Sequence, residues 1–114
     1  MRAHTNGKQH VSVLTCQGDL NATSMVNVKN RLSRFMQQRH PHLILDLSKA
    51  KHVDFAGIGI LIERLQKIRA MRGDIRVINV RPEISETFNR LGLNRFIVTF
   101  ASKGEAIESF GSAQ

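Results

Sequence analysis

The sequence has few of the residues that stabilise a protein through covalent cross-links or large aromatic rings. It contains no tryptophan or tyrosine, two prolines and a single cysteine, Cys16. One cysteine cannot form an intramolecular disulfide, so we expect a reducing, cytoplasmic location. Cys16 lies in an apolar run, which indicates a buried small side chain rather than a nucleophile.

Long hydrophobic segments are also missing. No apolar run approaches the length of about 18 residues that spans a membrane, and residues 1–8 lack the apolar segment of a secretory signal. The chain has 114 residues, of which 41% are hydrophobic. This composition predicts one domain over residues 1–114 with a packed core and no direct membrane insertion.

Acidic residues are scarce, because 9 aspartates and glutamates stand against 17 lysines and arginines, for a formal net charge of +8. Such an excess is typical of proteins that bind nucleic acid, a membrane surface or an acidic protein. The basic residues are scattered, and no tryptophan or tyrosine is present for base stacking. We therefore expect no nucleic-acid binding, and an acidic protein partner whose binding weakens as salt rises.

The usual catalytic and metal-binding motifs are absent. Gly57 and Gly59 lack the third glycine of a dinucleotide fingerprint, since Ile62 occupies that place, and no Gly-Lys-Ser/Thr phosphate loop occurs. His40 and His42 flank a proline without a nearby carboxylate or thiol, which is a weak metal signal. The sequence thus predicts no catalytic residue, metal or cofactor, although a helix start at Gly57 would also suit an anion in a small enzyme or ligand-binding domain.

Hydrophobic periodicity predicts alternating strands and helices after a polar, loose segment 1–9. The predicted strands are 11–16, a short 18–20, 43–47, 75–80 and 96–100, and the predicted helices are 21–38, 54–72, 82–92 and 103–110. The run 43–47 is apolar at nearly every position, as expected of a central strand covered on both faces. This order indicates an α/β fold whose sheet is largely parallel, with an antiparallel strand near its start.

The stretch 53–61 is the most unusual part of the sequence. Asp54 is placed to cap a helix whose apolar stripe begins at Ile58, while Gly57 and Gly59 interrupt its opening turns. Each glycine costs about 1 kcal/mol relative to alanine inside a helix, and such departures tend to mark functional sites. Because glycine has no Cβ, we expect a partner's backbone to approach both positions closely.

Residues 43–48 followed by 53–61 resemble the core motif of the STAS domain, and residues 18–22 resemble the first signature of that family. The resemblance covers about residues 8–112. It implies a STAS-like domain in which a mixed, mostly parallel β-sheet packs against α-helices. It also implies docking on a protein partner, which for the anti-sigma-factor antagonists of the family is an anti-sigma factor with serine kinase activity.

The resemblance further implies a phosphoacceptor hydroxyl two residues after the aspartate of the motif. Ala56 occupies that position and has no hydroxyl, and Asn21 replaces the acidic residue of the first signature. Either the domain is permanently competent to bind, or its partner surface has decayed or been reused. We favour retained docking because Asp54 and both glycines remain. Thr23 and Ser24 are candidate substitute phosphoacceptors, or residues that simply cap the helix start.

The predicted docking surface lies on the loop and on the helix that follows it. It comprises Asp54, Phe55, Ala56, Gly57, Ile58, Gly59, Glu63, Arg64 and Lys67, with Arg34 as a further candidate. Phe55 is either a core anchor or an exposed docking aromatic. The leading hypothesis is a non-enzymatic regulatory protein related to the anti-sigma-factor antagonists. The alternative is a STAS subunit of a lipid- or anion-transport complex. Neither hypothesis fixes the oligomeric state.

Overall fold

The computed structural model describes residues 2–6 and 9–111, with side chains from residue 10 onward. Within them the chain forms five strands and four helices. The strands are β1 Arg2–Asn6, β2 Gln9–Thr15, β3 His42–Asp46, β4 Asp74–Ile78 and β5 Val98–Phe100. The helices are α1 Ala22–Leu32, α2 Phe55–Ala70, α3 Pro82–Arg90 and α4 Lys103–Gly111.

The strands form one mixed sheet in the order β1-β2-β3-β4-β5. β1 runs antiparallel to β2, and β2, β3, β4 and β5 are mutually parallel. The predicted α/β class with a mostly parallel sheet is therefore confirmed. The four parallel strands give the molecule two distinct ends. We call them the carboxyl end, where these strands finish, and the amino end, where they begin.

Both faces of the sheet are covered by helices. On one face, α1, α2 and α3 enclose the larger part of the core, which includes Leu43 and Leu45 of β3. On the other face, α4 packs against Ile44 of β3 together with Val11 and Val13 of β2. Since neighbouring residues of a strand point to opposite faces, residues 43–45 in the middle of β3 must all be apolar. This explains the continuous hydrophobic run in the sequence.

The antiparallel strand does not lie where the sequence pattern placed it. Residues 2–6, predicted to be loose, form β1, and Leu20 of the predicted strand 18–20 makes only an isolated parallel bridge with Val53. Hydrophobic periodicity misses a short polar edge strand such as β1, because backbone hydrogen bonds alone can form it. Residues 1, 7 and 8 of the predicted loose segment lie outside the described residues.

The first helix is shorter than predicted. It ends at Leu32 rather than near residue 38, and a series of turns follows. Phe35 and Met36 in those turns still pack against the core, so the apolar pattern continues where the helix does not. The bounds of the other predicted helices and strands differ from the observed ones by a few residues at most.

No helix among residues 2–6 and 9–111 is long and apolar enough to cross a membrane.

The turn between α2 and β4 has a residue other than glycine at positive φ. Gly73 directly follows the predicted helix 54–72, but the residue with left-handed backbone is Arg72, at φ 63°. The Gly73 N–H donates to the Ile68 carbonyl at 3.0 Å. A Cβ at position 73 would overlap the carbonyl of Pro41. Gly73 is therefore required by the close approach of two backbones rather than by its dihedral angles.

Candidate functional site

Two loops lie side by side at the carboxyl end and position the start of α2. The loop after β2 and the loop after β3 exchange backbone hydrogen bonds, with Leu20 N–H donating to the His52 carbonyl at 2.9 Å. In return, Asp54 N–H donates to the Leu20 carbonyl at 3.0 Å. The first signature and the central motif are thus directly bonded to each other, although they are more than thirty residues apart in sequence.

A side chain caps the start of α1 and of α2, and the cap at Asp54 was predicted. The Asp54 carboxylate accepts a hydrogen bond from Gly57 N–H at 2.8 Å, and the Asn21 side chain accepts one from Ser24 N–H at 2.9 Å. Each bond satisfies one of the backbone donors that a helix start leaves unpaired. The caps therefore fix where α1 and α2 begin, and both helices begin at the same end of the molecule.

Two further carboxylates of this end, Asp46 and Asp19, also bind backbone. Asp46 accepts from Ser48 N–H at 2.8 Å and from the Asn79 side chain at 3.1 Å. Asp19 accepts from the N–H groups of Lys51 and His52 at 2.8 and 3.1 Å, and these bonds lower the pKa of its carboxyl group. Sequence reasoning missed this role of Asp19, because the two N–H groups that donate to it are more than thirty residues away in the sequence.

These bonds engage Asp46 in the turn after β3 and Asp54 in the cap of α2. Among the described residues, no group of three or more histidine, cysteine, aspartate or glutamate side chains is arranged to hold a metal ion. His42 instead stacks on the Phe110 ring at 4.6 Å between centroids.

Cys16 is buried as predicted, with no exposed surface. Its Sγ lies 3.4 Å from the Gly18 carbonyl, to which the thiol donates. Burial raises the pKa of this thiol above its ordinary value. A protonated, inaccessible sulfur is a poor nucleophile, so Cys16 is part of the core.

The first turns of α2 present a row of residues to solvent. Phe55 is 77% exposed. It is therefore a surface aromatic residue and not a core anchor. Ala56, Gly59 and Lys67 are exposed and Glu63 is half-buried. Since α2 is a regular helix, these positions fall on one side of it. We call Phe55, Ala56, Gly59, Glu63 and Lys67 the exposed α2 face.

Gly57 does not belong to that face, contrary to the expectation that a partner approaches both glycines. It is buried, and a Cβ there would overlap the Leu20 carbonyl and crowd Asn21 N. Gly57 therefore allows α2 to contact the loop after β2 within the same chain. At Gly59, a Cβ would meet no atom within 4 Å, so this glycine alone is open to another molecule.

Two further residues of the predicted surface are turned inward. Ile58 and Arg64 are each 5% exposed. Arg64 donates from Nε to Glu63 Oε1 at 3.1 Å and approaches the Met36 sulfur at 3.6 Å, so its guanidinium lies against the turns that follow α1. The hydrogen bond from Arg64, and the positive charges of Arg64 and Lys67, lower the pKa of Glu63. We leave Ile58 and Arg64 out of the exposed α2 face.

The remaining candidates lie on or after α1. Thr23 is exposed and Ser24 is half-buried, both in the first turn of α1, whose start contacts the start of α2. Phosphorylation of either hydroxyl stays a prediction. Arg34 follows α1 at the amino end, opposite Phe55, so it does not belong to the exposed α2 face.

Comparisons with known proteins identify the fold. A family model described as the STAS domain matches residues 2–106. An anti-sigma-factor antagonist (STAS) domain protein from Planctomyces limnophilus has a TM-score of 0.76 at 17% identity, covering 96% of this chain and 97% of its own. The Bacillus anti-sigma factor antagonist SpoIIAA in its unphosphorylated form has a TM-score of 0.71 at 18% identity, covering 99% of both chains.

A transporter domain is equally similar. The STAS domain of a SulP transporter from Vibrio cholerae has a TM-score of 0.72 at 17% identity, covering 95% of this chain and 86% of that domain. At such identities the similarity establishes the shared fold. It does not separate the antagonist branch from the transporter branch.

Proposed function

Because the chain belongs to the STAS domain family, we propose that it is a non-enzymatic regulatory protein of the anti-sigma-factor-antagonist type. In this proposal it acts in the cytoplasm and docks on a protein partner through the exposed α2 face. The partner is an anti-sigma factor with a serine-kinase-like fold or a related regulatory protein. No cofactor or metal takes part.

The observation that carries the proposal is the exposure of Phe55. Full burial of such a side chain is worth about 1.5–3 kcal/mol, yet 77% of Phe55 faces solvent on the first turn of α2. The residues beside it on the exposed α2 face are small, namely Ala56 and Gly59, and a Cβ on Gly59 would meet no other atom. An exposed aromatic ring beside open backbone is a suitable anchor for a protein partner.

The exposed α2 face also lacks the hydroxyl group through which phosphorylation would turn docking off. Phosphorylation would add a charge of about −1.5 to −2 at its target, but Ala56, at the family's acceptor position, has a methyl group. We infer that docking at this face is not turned off by phosphate at position 56. Thr23 and Ser24 at the start of α1 remain the candidate sites for a substitute modification.

A charge introduced at position 56 tests the proposal. We expect Ala56→Asp to weaken capture of the partner by at least about tenfold, equivalent to about 1.4 kcal/mol, because the carboxylate would face the partner. The fold should persist, since α2 has no acidic residue in its first turn and a negative charge there favours the helix. Affinity capture from the native host, with mass spectrometry, measures both the identity and the amount of the partner.

Ser85→Asp is the matched control. It adds the same charge to the exposed side of the first turn of another helix, α3, and should leave capture unchanged. Equal capture by wild type and Ala56→Asp would refute the exposed α2 face as the docking site. Ala56→Ser adds a second arm, because transfer of phosphate to this variant by the captured kinase would support conservation of the surrounding surface.

The alternative function is a soluble STAS subunit of a lipid- or anion-transport complex. The similarity to the Vibrio cholerae transporter domain supports this candidate to the same extent as the antagonist structures support the first. Identification of a permease or a transport ATPase as the captured protein, rather than a kinase-like anti-sigma factor, would decide for the transport role.

A further inference from the structure

The positive charge of the protein is distributed unequally between its two ends. Segments 33–41, 71–73 and 91–97, which join α1, α2 and α3 to the next strands, together contain Arg34, Arg39, Arg72 and Arg95 and no aspartate or glutamate. We call these residues the arginine row. All four are exposed, and within the described residues none has an ion pair with a carboxylate.

The three segments are packed against one another at the amino end. Asp74 N–H, directly after the second segment, donates to the Pro41 carbonyl of the first at 3.0 Å. Arg69 connects the end of α2 to the third segment by donating to the Phe96 carbonyl at 2.6 Å, with its guanidinium 4.8 Å from the Phe96 ring centroid. The backbone segments that contain the arginine row are therefore neighbours at the amino end of the sheet.

Two carboxylates near this end are already paired with other arginines. Asp74 accepts hydrogen bonds from Arg69 at 2.8 Å and Arg76 at 2.9 Å, so two guanidinium groups already share it. Glu86 near the end of α3 pairs with Arg90 at 2.8 Å. Residues 1–9 and 112–114 contain no aspartate or glutamate that could reach it.

Arg72 is held in this row at a conformational cost. Its φ of 63° lies in the left-handed region, where glycine or asparagine is the usual residue. Gly73, the next residue, is needed for packing on Pro41 and is not at positive φ. Glycine would adopt this backbone conformation without the steric cost that arginine has there. An unfavourable residue at such a position is the type of local departure that accompanies a function.

We propose that the arginine row binds the phosphate-bearing surface of an anionic lipid bilayer. Guanidinium groups pair well with phosphate, and basic residues near a bilayer surface each increase binding by about fivefold. Leu91, in the same segment as Arg95, is 42% exposed and can enter the headgroup region beside the arginines. Binding of the arginine row to a bilayer would leave the exposed α2 face, which lies at the carboxyl end, free for the protein partner.

A lipid surface fits this end better than a nucleic acid. Binding to single strands relies on exposed aromatic rings, whereas the large exposed apolar residues of the described chain are Val26, Phe55 and Leu91. Phe55 is the aromatic one, and it lies at the carboxyl end. The apolar residue that accompanies the arginine row is an aliphatic leucine.

Co-sedimentation with vesicles tests the proposal. Wild-type protein should bind phosphatidylcholine vesicles that contain phosphatidylglycerol, should not bind pure phosphatidylcholine, and should dissociate as salt is raised. The triple variant Arg34→Gln, Arg39→Gln, Arg95→Gln should lose about a hundredfold in apparent affinity, as three successive fivefold steps. It leaves Arg72 and its backbone conformation intact.

The matched control removes the same charge from the carboxyl end through Lys49→Gln, Lys51→Gln and Arg81→Gln, and should retain vesicle binding within a few-fold. Circular dichroism confirms that both triple variants are folded. Equal loss in the two triple variants would overturn the proposal, because net charge alone would then explain binding. Absence of binding to phosphatidylglycerol vesicles at low salt would overturn it as well.

A parallel measurement of fluorescence polarisation with labelled single-stranded RNA and duplex DNA completes the design. Weak binding that is equal in the two triple variants supports the lipid assignment. Tight nucleic-acid binding that the amino-end triple variant alone abolishes, without vesicle binding, would overturn it in favour of a nucleic-acid partner.

Discussion

The two ends of the parallel strands have similar numbers of basic residues and treat them differently. At the carboxyl end, Lys49, Lys51 and Arg81 share the surface with Asp19 and Asp54, and both carboxylates bind backbone N–H groups. At the amino end, the arginine row has no comparable acidic residues in its loops. The carboxyl end is thus organised by local hydrogen bonds, whereas the amino end carries uncompensated charge.

The comparison teaches that net charge alone does not locate a binding surface. The carboxyl end is closely ordered: its carboxylates fix loop geometry and place Phe55 and Gly59 in solvent. The amino end retains an unfavourable backbone angle at Arg72 and several guanidinium groups that have no ion pair with a carboxylate in the part of the chain that the structure describes. We interpret the first as a surface for a shaped protein partner and the second as a surface for a diffuse anionic one.

The largest expected effect distinguishes the two glycines of the carboxyl end. Gly57→Ala should destabilise the fold by about 3 kcal/mol, because its Cβ would be forced into the Leu20 carbonyl and overpacking against backbone has few routes of relief. Gly59→Ala should stabilise it by up to about 1 kcal/mol, as expected for an open helical site. Urea unfolding of both variants measures the difference, and equal stabilities would contradict the buried contact.

Phe55→Ala should reduce affinity for the protein partner by about 2 kcal/mol if Phe55 is an anchor, while thermal stability changes little because the ring is exposed. The control is Leu91→Ala, which removes the exposed apolar residue of the amino end. That variant should leave partner affinity unchanged and weaken vesicle binding. Titration calorimetry with the captured partner measures the first effect, and the same response in both variants would remove the functional distinction between the ends.

Arg72→Gly should stabilise the fold by about 1 kcal/mol, since glycine adopts a positive φ without steric cost. The same change removes one charge of the arginine row and should lower vesicle binding about fivefold. A thermal melt and a co-sedimentation assay on one preparation test both halves. Loss of stability, or unchanged vesicle binding, would contradict the view that Arg72 is retained for its charge.

The smallest effect is a difference in pH dependence between the ends. Burial, with the adjacent positive charge of Arg76, lowers the pKa of His42, so the unfolded chain takes up a proton more readily there. The contribution of His42 should therefore be lost as pH falls below about 6.5. Backbone hydrogen bonds lower the pKa of Asp19, so its contribution is present above its unfolded pKa and is lost only on further acidification.

Melting temperatures across this pH range, for wild type and His42→Phe, separate the two contributions. Phenylalanine keeps an aromatic ring against Phe110, and it cannot take up a proton. The decline that begins near pH 6.5 should be reduced in this variant, and the decline at lower pH should persist. An unchanged profile would show that another group accounts for the first decline.

Much of this fold could be read from local patterns. The apolar run of β3, the stripe of α2 and the caps at Asn21 and Asp54 follow from residue type and spacing, because periodicity reports which side of an element is buried. The motif around these elements was also sufficient to identify the family. Where the pattern failed, as in β1 and the end of α1, backbone pairing or tertiary packing decided the outcome rather than hydrophobicity.

The sequence by itself determined the α/β class, the position of the loop before α2 and the absence of a hydroxyl at Ala56. Only the tertiary structure decided that Gly57 faces its own chain while Gly59 faces solvent, since both glycines look alike in sequence. It also gathered arginines from three separate loops at one end. Burial and charge clustering depend on contacts between remote segments, and residue spacing within one segment carries no record of them.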